Sequence, residues 1–307
     1  LPATDESLAL AARLFEEGQL VAFPTETVYG LGANATDAGA AAAIYAAKGR
    51  PSDNPLIIHI ASPLDVEPYA HTSPAYYRLA KRFMPGPLTV VLKAKETVPL
   101  ATRGGLDTVA VRCPKHPIAN KLIKVTGLPL AAPSANLSGK PSPTKAQHVF
   151  NDLQGRIPMI IDGGECDEGV ESTVITLATP VPRLLRPGNV TISQLRDVLG
   201  EIEVDDAVLN PLKTGERVSS PGMKYKHYSP NAEVVLVDGD DIRFEEYVRS
   251  HIAGTEAVVV ADSWASQFDF CNRLSFGKTT NAEEESRALF SVLREADDRE
   301  YTRVYIQ

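Results

Sequence analysis

Four cationic side chains stand where helices or apolar runs end. Lys48 and Arg50 flank Gly49 and lead into Pro51-Ser52-Asp53-Asn54-Pro55. Arg112 closes Thr108-Val109-Ala110-Val111, and Arg186 closes Leu184-Leu185. A guanidinium presents a planar fork of donors that suits carboxylate and phosphate oxygens. Three hydroxyl-bearing loops accompany these cations: Phe23-Pro24-Thr25-Glu26-Thr27-Val28-Tyr29-Gly30, Ala132-Pro133-Ser134-Ala135-Asn136-Leu137-Ser138-Gly139, and Gly169-Val170-Glu171-Ser172-Thr173. Such loops can aim hydroxyls and backbone N–H groups at an anion. His59 sits inside the apolar run Leu56–Ile60. Taken singly, a strand-end arginine is ordinarily solvated or ion-paired, a strand histidine is ordinarily a satisfied core residue, and a Lys at a helix end complements the helix dipole. Their number and grouping point to a site for an anionic ligand at strand ends of an α/β protein.

Other chemistries lack their motifs. Gly30-Leu31-Gly32-Ala33-Asn34-Ala35 resembles a dinucleotide fingerprint, but Pro24–Tyr29 separates it from the preceding strand and Asp53 falls in a proline-rich loop rather than on a second strand. These glycines are expected to let the backbone pass close to a neighbour. Gly277-Lys278-Thr279 would end a phosphate-binding loop whose first glycine is replaced by Asn272. Neither G-x-S-x-G nor H-E-x-x-H occurs. Cys113, Cys166 and Cys271 are scattered and unpaired in spacing, which argues against a zinc site or a disulfide framework and for reduced thiols in a cytoplasmic protein. No metal-ligating cluster is expected.

The elements that must position these residues alternate. Apolar runs at Leu20–Phe23, Leu56–Ile60, Leu88–Leu92, Val109–Arg112, Met159–Asp162 and Ser172–Leu177 read as strands. Helical patterns lie at Leu8–Glu17, Ala38–Lys48, Ala75–Met84, Pro117–Thr126, Thr144–Leu153 and Ser193–Leu199, most of them stopped by glycine. This order indicates an open α/β sheet, with most strands covered on both faces. The rhythm breaks near residue 207. The stretch 207–230 is rich in proline and glycine, but Ser219–Pro230 also holds two lysines, two tyrosines and His227, so it reads as a loop that folds over a ligand. Beyond it, Glu233–Asp238, Ala257–Asp262 and Arg303–Ile306 alternate with helical stretches at Asp241–His251 and Ala282–Ala296, a small βαβ-type unit. The expected domains are therefore residues 1–206, a closing linker 207–230, and a second domain 231–307.

The 307 residues suffice for two domains with ordinary cores, and no apolar run approaches the roughly 20 residues of a membrane span. No signal peptide pattern opens the chain. It starts at Leu1 without methionine and stops at Gln307 directly after an apolar run, so residues are expected beyond both ends and the second domain is expected to lack its last element. The net charge of −8 lies wholly in residues 231–307, which hold 16 acids and 8 Lys/Arg; residues 1–230 hold 23 of each. The acidic part is an unlikely partner for nucleic acid, so phosphate recognition belongs in the balanced part.

The ordered segments FPTETVYGLG, KGRPSDNPLIIHI, MPGPLTVVL, TVAVRCP, APSANLSGKPSPT, IDGG, GVESTVI, LLRPGNV and SPGMKYKHYSP, spanning Phe23 to Pro230, resemble the threonylcarbamoyl-AMP synthase family in its two-domain form. The resemblance implies a twisted open mixed sheet with flanking helices (YrdC-like) and a small Rossmann-like α/β C-terminal domain. It implies a nucleotidyltransferase that joins L-threonine, bicarbonate and ATP, with Mg²⁺, into threonylcarbamoyl-AMP and pyrophosphate. The product would pass to a tRNA threonylcarbamoyl transferase for N6-threonylcarbamoyladenosine at position 37. Carried over by position, Thr27, His59, Arg112, the Ala132 backbone and Ser172 would hold threonine, with Arg112 on its carboxylate. Arg50, Asn54, Thr108, Ser134, Ser142 and Arg186 would hold ATP, with Lys48 near the phosphates and His227 and Tyr228 closing over the nucleotide. Lys48 and Arg50 are the catalytic candidates. The rival reading is a double-stranded RNA-binding module built on a basic cleft, which the even charge of residues 1–230 disfavours.

Overall fold

The computed structural model describes residues 1–209, 229–279 and 281–307. Contacts divide the chain into two units, Leu1–Asp167 with Glu171–His227, and Glu168–Val170 with Tyr228–Gln307.

The first unit is built on a mixed sheet of short strands. In chain order these are β1 (Val21–Phe23), β2 (Gly30–Asn34), β3 (Ile57–His59), β4 (Ala70–His71), β5 (Leu88–Ala94), β6 (Thr108–Arg112), β7 (Leu130–Ala131), β8 (Met159–Ile160), β9 (Thr173–Thr176), β10 (Arg183–Arg186) and β11 (Glu203–Val204). Their spatial order is β11-β10-β9-β5-β6-β3-β7-β2-β1-β8, with β4 paired to β5 off this path. The pairs β3·β6, β5·β9, β1·β8 and β10·β11 are parallel and the rest antiparallel. The flanking helices are α1 (Asp5–Glu16), α2 (Ala38–Lys48), α3 (Pro74–Phe83), α4 (Pro117–Thr126), α5 (Ala146–Leu153), α6 (Ile192–Leu199) and the short α7 (Asp206–Leu209).

Local sequence explains the helix ends. Thr4 and Ser7 exchange side-chain-to-backbone hydrogen bonds at the start of α1, which buries Leu8, Ala11, Ala12 and Phe15. Asp37 caps α2 by accepting from the Gly39 and Ala40 N–H groups. Gly49 ends α2 with φ +61°, a left-handed conformation that turns the chain sharply between Lys48 and Arg50.

Side-chain alternation divides the sheet into faces. Leu56, Ile58, Val90, Val109, Val111 and Ile175 enter the largest core cluster, beneath helices. Their neighbours Ile57, Val91, Ala110, Val174 and Leu185 form a separate, smaller cluster from the same strands. At the other side of the sheet, Val21 and Phe23 of β1 pack with Leu8 and Phe15 of α1 and with Leu122 of α4.

Several strands lie outside the sequence expectation. The glycine pair Gly30 and Gly32 belongs to β2, antiparallel to β1, so there is no strand–turn–helix for a dinucleotide. The two-residue strands β4 and β11 carry too little periodicity to read. In the second unit, β12 (Glu233–Leu236), β13 (Glu256–Val260), β14 (Asn272–Ser275) and β15 (Arg303–Ile306) form an all-parallel sheet in the order β12-β15-β13-β14. With α8 (Asp241–His251) and α9 (Ala282–Asp298) it completes a small α/β fold whose core includes Phe244, Val248, Val258, Phe268 and Tyr305. β14 was not expected, because Asn272 and Arg273 break its apolar run.

Candidate active site

Period-two alternation puts four polar side chains on the same face as the small apolar cluster. His59 stands two residues from Ile57, Arg112 two from Ala110, Thr89 two from Val91, and Ser172 two from Val174. The pairing registers align them across neighbouring strands: His59 lies opposite Arg112, Arg112 opposite Thr89, and Leu88 opposite Thr173. Thr89 and Ser172 join through their hydroxyls at 2.8 Å. Arg186, at the end of β10, donates from Nε (3.1 Å) and Nη2 (2.9 Å) to the Ser172 carbonyl and from Nη2 to Ser172 Oγ (3.2 Å). A polar row therefore runs from Arg186 through Ser172, Thr89 and Arg112 to His59, across five adjacent strands, with an apolar floor of Ile57, Val91, Ala110, Val174 and Leu185 beside it. The loop after Arg186 keeps this row in place: a Cβ at Gly188 would stand 2.5 Å from the Thr173 nitrogen and 2.6 Å from the Glu171 carbonyl oxygen, an approach only glycine permits.

Arg112 is the centre of the row. Its Nη1 donates to Thr27 Oγ1 at 2.8 Å, and its Nη2 lies 2.8 Å from Glu26 Oε1. Thr25 donates its hydroxyl proton to the Val28 carbonyl at 2.7 Å, so Thr27 is the donor in their 2.8 Å hydroxyl contact. The Thr27 oxygen is left as an acceptor. Glu26 is fully buried, and its Oε2 accepts the His116 N–H at 3.3 Å. Burial pushes the Glu26 carboxyl up, but the Arg112 charge and the hydrogen bonds outweigh it and hold it below the usual range. Arg112 Nε makes no hydrogen bond among the described residues.

His59 is pulled down to about 3, first by burial and then by the Arg112 charge. It is neutral at physiological pH. Its Nδ1 lies 3.2 Å from the Ile57 carbonyl, which can only accept. Nδ1 therefore carries the proton and Nε2 the lone pair. The Ala132 N–H also donates to the Ile57 carbonyl, at 2.9 Å.

The remaining expected residues surround this row at different places. Thr108 lies on the same face as Ala110 and Arg112, at the far end of β6, about 13 Å from Arg112 by strand rise. Arg50 precedes β3 and donates from Nη2 to the Asn54 (3.4 Å) and Pro55 (3.2 Å) carbonyls. Asn54 is 1% exposed, yet neither atom of its side-chain amide has a hydrogen-bond partner among the described residues. Such a buried amide calls for an explanation, and a ligand supplies one. Ser134 forms a bridge with Gly30 of β2, and Ser142 hydrogen-bonds Glu171. Lys48 does not reach into open space. It is buried, and its Nζ donates to the Ser134 carbonyl (2.5 Å), the Asn136 carbonyl (2.6 Å) and Asn136 Oδ1 (3.3 Å). It ties the end of α2 to the Ser134–Asn136 loop. His227 and Tyr228 lie outside the described residues.

Sequence reasoning quoted Glu26 and Thr89 inside motifs but gave them no part. The signal for Thr89 was available: a hydroxyl two residues from an apolar strand residue, at the start of a run. Two cavities, of about 520 and 400 Å³, are lined by other residues, including Lys145 and Phe150 in one and Tyr69 and Lys124 in the other. No helix among the described residues is long and apolar enough to cross a membrane.

Known proteins match both units. Residues 13–188 fit a family model described as telomere recombination, and residues 190–307 fit one described as threonylcarbamoyl-AMP synthase, C-terminal domain. The chain is 50% identical to the threonylcarbamoyl-AMP synthase of Pyrococcus abyssi over 94% of its own length and 85% of that protein's. It is 45% identical to that of Bacillus subtilis over 97% and 86%. The crystal structure of P. abyssi Sua5 complexed with L-threonine superposes with a TM-score of 0.92 at 46% identity, covering 99% of this chain and 89% of that one. Escherichia coli YciO shares the fold over 62% of this chain and 94% of its own, with a TM-score of 0.57 at 23% identity. With both models placed in order along it and relatives this similar over nearly its full length, the chain belongs to the threonylcarbamoyl-AMP synthase family.

Proposed function

We propose that the protein condenses L-threonine, bicarbonate and ATP into L-threonylcarbamoyl-AMP and pyrophosphate. The observation that carries this reading is the polar row over an apolar floor, in which Arg112 Nε makes no hydrogen bond among the described residues, together with the buried Asn54 amide ahead of β3, which likewise has no partner among them. The solved relative holding L-threonine supports the amino-acid end.

In this reading Arg112 takes the threonine carboxylate. Thr27 Oγ1 and His59 Nε2, both acceptors, meet the hydroxyl and amino groups. The Ala132 N–H is engaged by Ile57, so the contribution of Ala132 falls to its carbonyl. The nucleotide lies along the face toward Thr108 and Asn54, with Ser134, Ser142, Arg50 and Arg186 on its phosphates and ribose. The amine of threonine, its ammonium proton lost to solvent, attacks the carbon of bicarbonate with departure of water, or attacks the carbon dioxide that bicarbonate yields with loss of a nitrogen proton to solvent; either way a carbamate forms. The resulting carbamate oxygen attacks the α-phosphorus, and the bond to pyrophosphate breaks. The protein's task is to bring two anions together and offset their repulsion. Arg50 acts on the phosphates directly. Lys48 acts by fixing the Ser134–Asn136 loop. Among the described residues no group of three or more His, Cys, Asp or Glu side chains offers a resident metal site, and Mg²⁺ is taken as part of the MgATP substrate. A tRNA threonylcarbamoyl transferase would consume the product.

Mass spectrometry of protein incubated with threonine, bicarbonate and MgATP tests the reading. The expected result is threonylcarbamoyl-AMP that disappears when threonine is omitted. Hydrolysis of ATP alone, or RNA binding without product, would overturn it.

A further inference from the structure

Glu26 has no part in the scheme above, yet it is the group closest in charge and distance to Arg112. Both side chains are almost wholly buried, 0% and 5% exposed, with Nη2 and Oε1 2.8 Å apart. A buried ion pair contributes little to stability by itself, because desolvation offsets the attraction. A hydrophobic pair would fill the space as well. The geometry of this pair also departs from what stability alone would select. The Nη2–Oε1 contact is a 2.8 Å ion pair that engages one nitrogen of the guanidinium, and Arg112 Nε makes no hydrogen bond among the described residues. The second carboxylate oxygen is anchored to the His116 backbone rather than to Arg112.

Charge counting at this end of the site is simple. Immediately around Arg112, His59, Thr25, Thr27 and Thr89 are neutral and Arg112 and Glu26 cancel, while the charge of Arg186 stands beyond Ser172 at the far end of the row. We propose that Glu26 is a specificity-determining residue: by balancing Arg112 it makes the amino-acid end of the site electrically neutral, so that it selects a zwitterion over a simple carboxylate. This inference rests on the reading that the site takes L-threonine. A lone buried Arg112 would welcome any carboxylate as the counterion it lacks. Beside Glu26 it gains less from a bare anion, whereas an ammonium group on the ligand restores the balance. Free hydroxy acids with the carbon skeleton of threonine would thereby be kept out of a site that needs an amine to make a carbamate.

The test compares threonine with 3-hydroxybutyrate, which keeps carboxylate and hydroxyl but lacks the ammonium. Dissociation constants are measured by calorimetry for the wild type, Glu26→Gln and Glu26→Asp, with thermal melting as a check on folding. The wild type is expected to prefer threonine by about 10-fold or more, the scale of one buried charge contact. Glu26→Gln is expected to bring that ratio close to one or reverse it, and Glu26→Asp to retain it. A ratio unchanged in a folded Glu26→Gln variant overturns the proposal, and so does failure of both variants to fold, which would make Glu26 purely structural. A wild type that binds no threonine at all defeats the functional reading instead, and the two failures are thus told apart.

Discussion

Thr89 and Ser172 meet hydroxyl to hydroxyl at 2.8 Å across the starts of β5 and β9, and Ser172 also accepts from Arg186. One buried hydroxyl thus links the Arg112 side of the site to the Arg186 side. Thr89→Val keeps the shape and removes the link. Ser172 Oγ retains Arg186, so the stability cost is expected to stay near 1 kcal/mol by denaturant titration. The KM for threonine is expected to rise about 3- to 10-fold as the Ser172 hydroxyl loses its fixed direction. An unchanged KM would mean that Arg186 alone orients Ser172.

Lys48 separates two readings of one residue. A phosphate-binding lysine can be replaced with loss of activity and little loss of stability. Here its ammonium group caps the carbonyls of Ser134 and Asn136 while buried. Lys48→Met leaves these acceptors without their donor and is expected to cost about 2–4 kcal/mol in urea unfolding, in addition to weakening ATP binding. Stability within 0.5 kcal/mol of wild type, a threshold at about the usual range of surface substitutions, would restore the direct phosphate role.

Much of this arrangement was legible in the sequence. Helix Pro117–Thr126 was bounded by proline at its start and glycine after its end, and Ala38–Lys48 by the glycine after its end. Arg112 and Arg186 were marked by their places at the ends of apolar runs, and His59 by standing as a polar residue inside one. What could not be read is pairing. Gly30–Asn34 looks like a turn because glycine hides strand periodicity, and only its partner β1 reveals it as a strand. The side chain of Lys48 was expected at phosphates because charge at a helix end is ordinarily exposed; its burial depends on a loop 86 residues away. Thr89 was missed for a related reason. A hydroxyl at the head of an apolar strand means little until a neighbouring strand brings Ser172 beside it.

His59 gives a pH dependence with a definite sign. Its pKa of about 3 in the folded chain lies below the usual 6.5, so the unfolded state binds more protons between these values. Its contribution to stability is complete above pH 6.5 and is lost progressively as pH falls toward 3. Urea unfolding of wild type and His59→Gln at several pH values between 7.5 and 4 is expected to show a steeper decline for wild type. Parallel declines would indicate that His59 takes up its proton at the same pH folded and unfolded, so that burial does not hold it neutral.

The acceptors Thr27 Oγ1 and His59 Nε2 set the last expectation, discrimination between threonine and valine. Valine matches threonine in shape but replaces the hydroxyl with a methyl. A hydrophobic pocket separates such isosteres poorly, by about 100-fold, because a methyl fits nearly as well as a hydroxyl. A site that hydrogen-bonds the hydroxyl pays more for its absence, since a buried acceptor then faces a methyl group. With His59 held neutral by burial and its Nδ1 proton committed to Ile57, Nε2 has no proton of its own to offer elsewhere. We therefore expect kcat/KM for threonine to exceed that for valine by about 10⁴ in pyrophosphate release. His59→Phe should lower this ratio chiefly by slowing threonine. Equal turnover of the two amino acids by the wild type would mean that neither acceptor reads the hydroxyl.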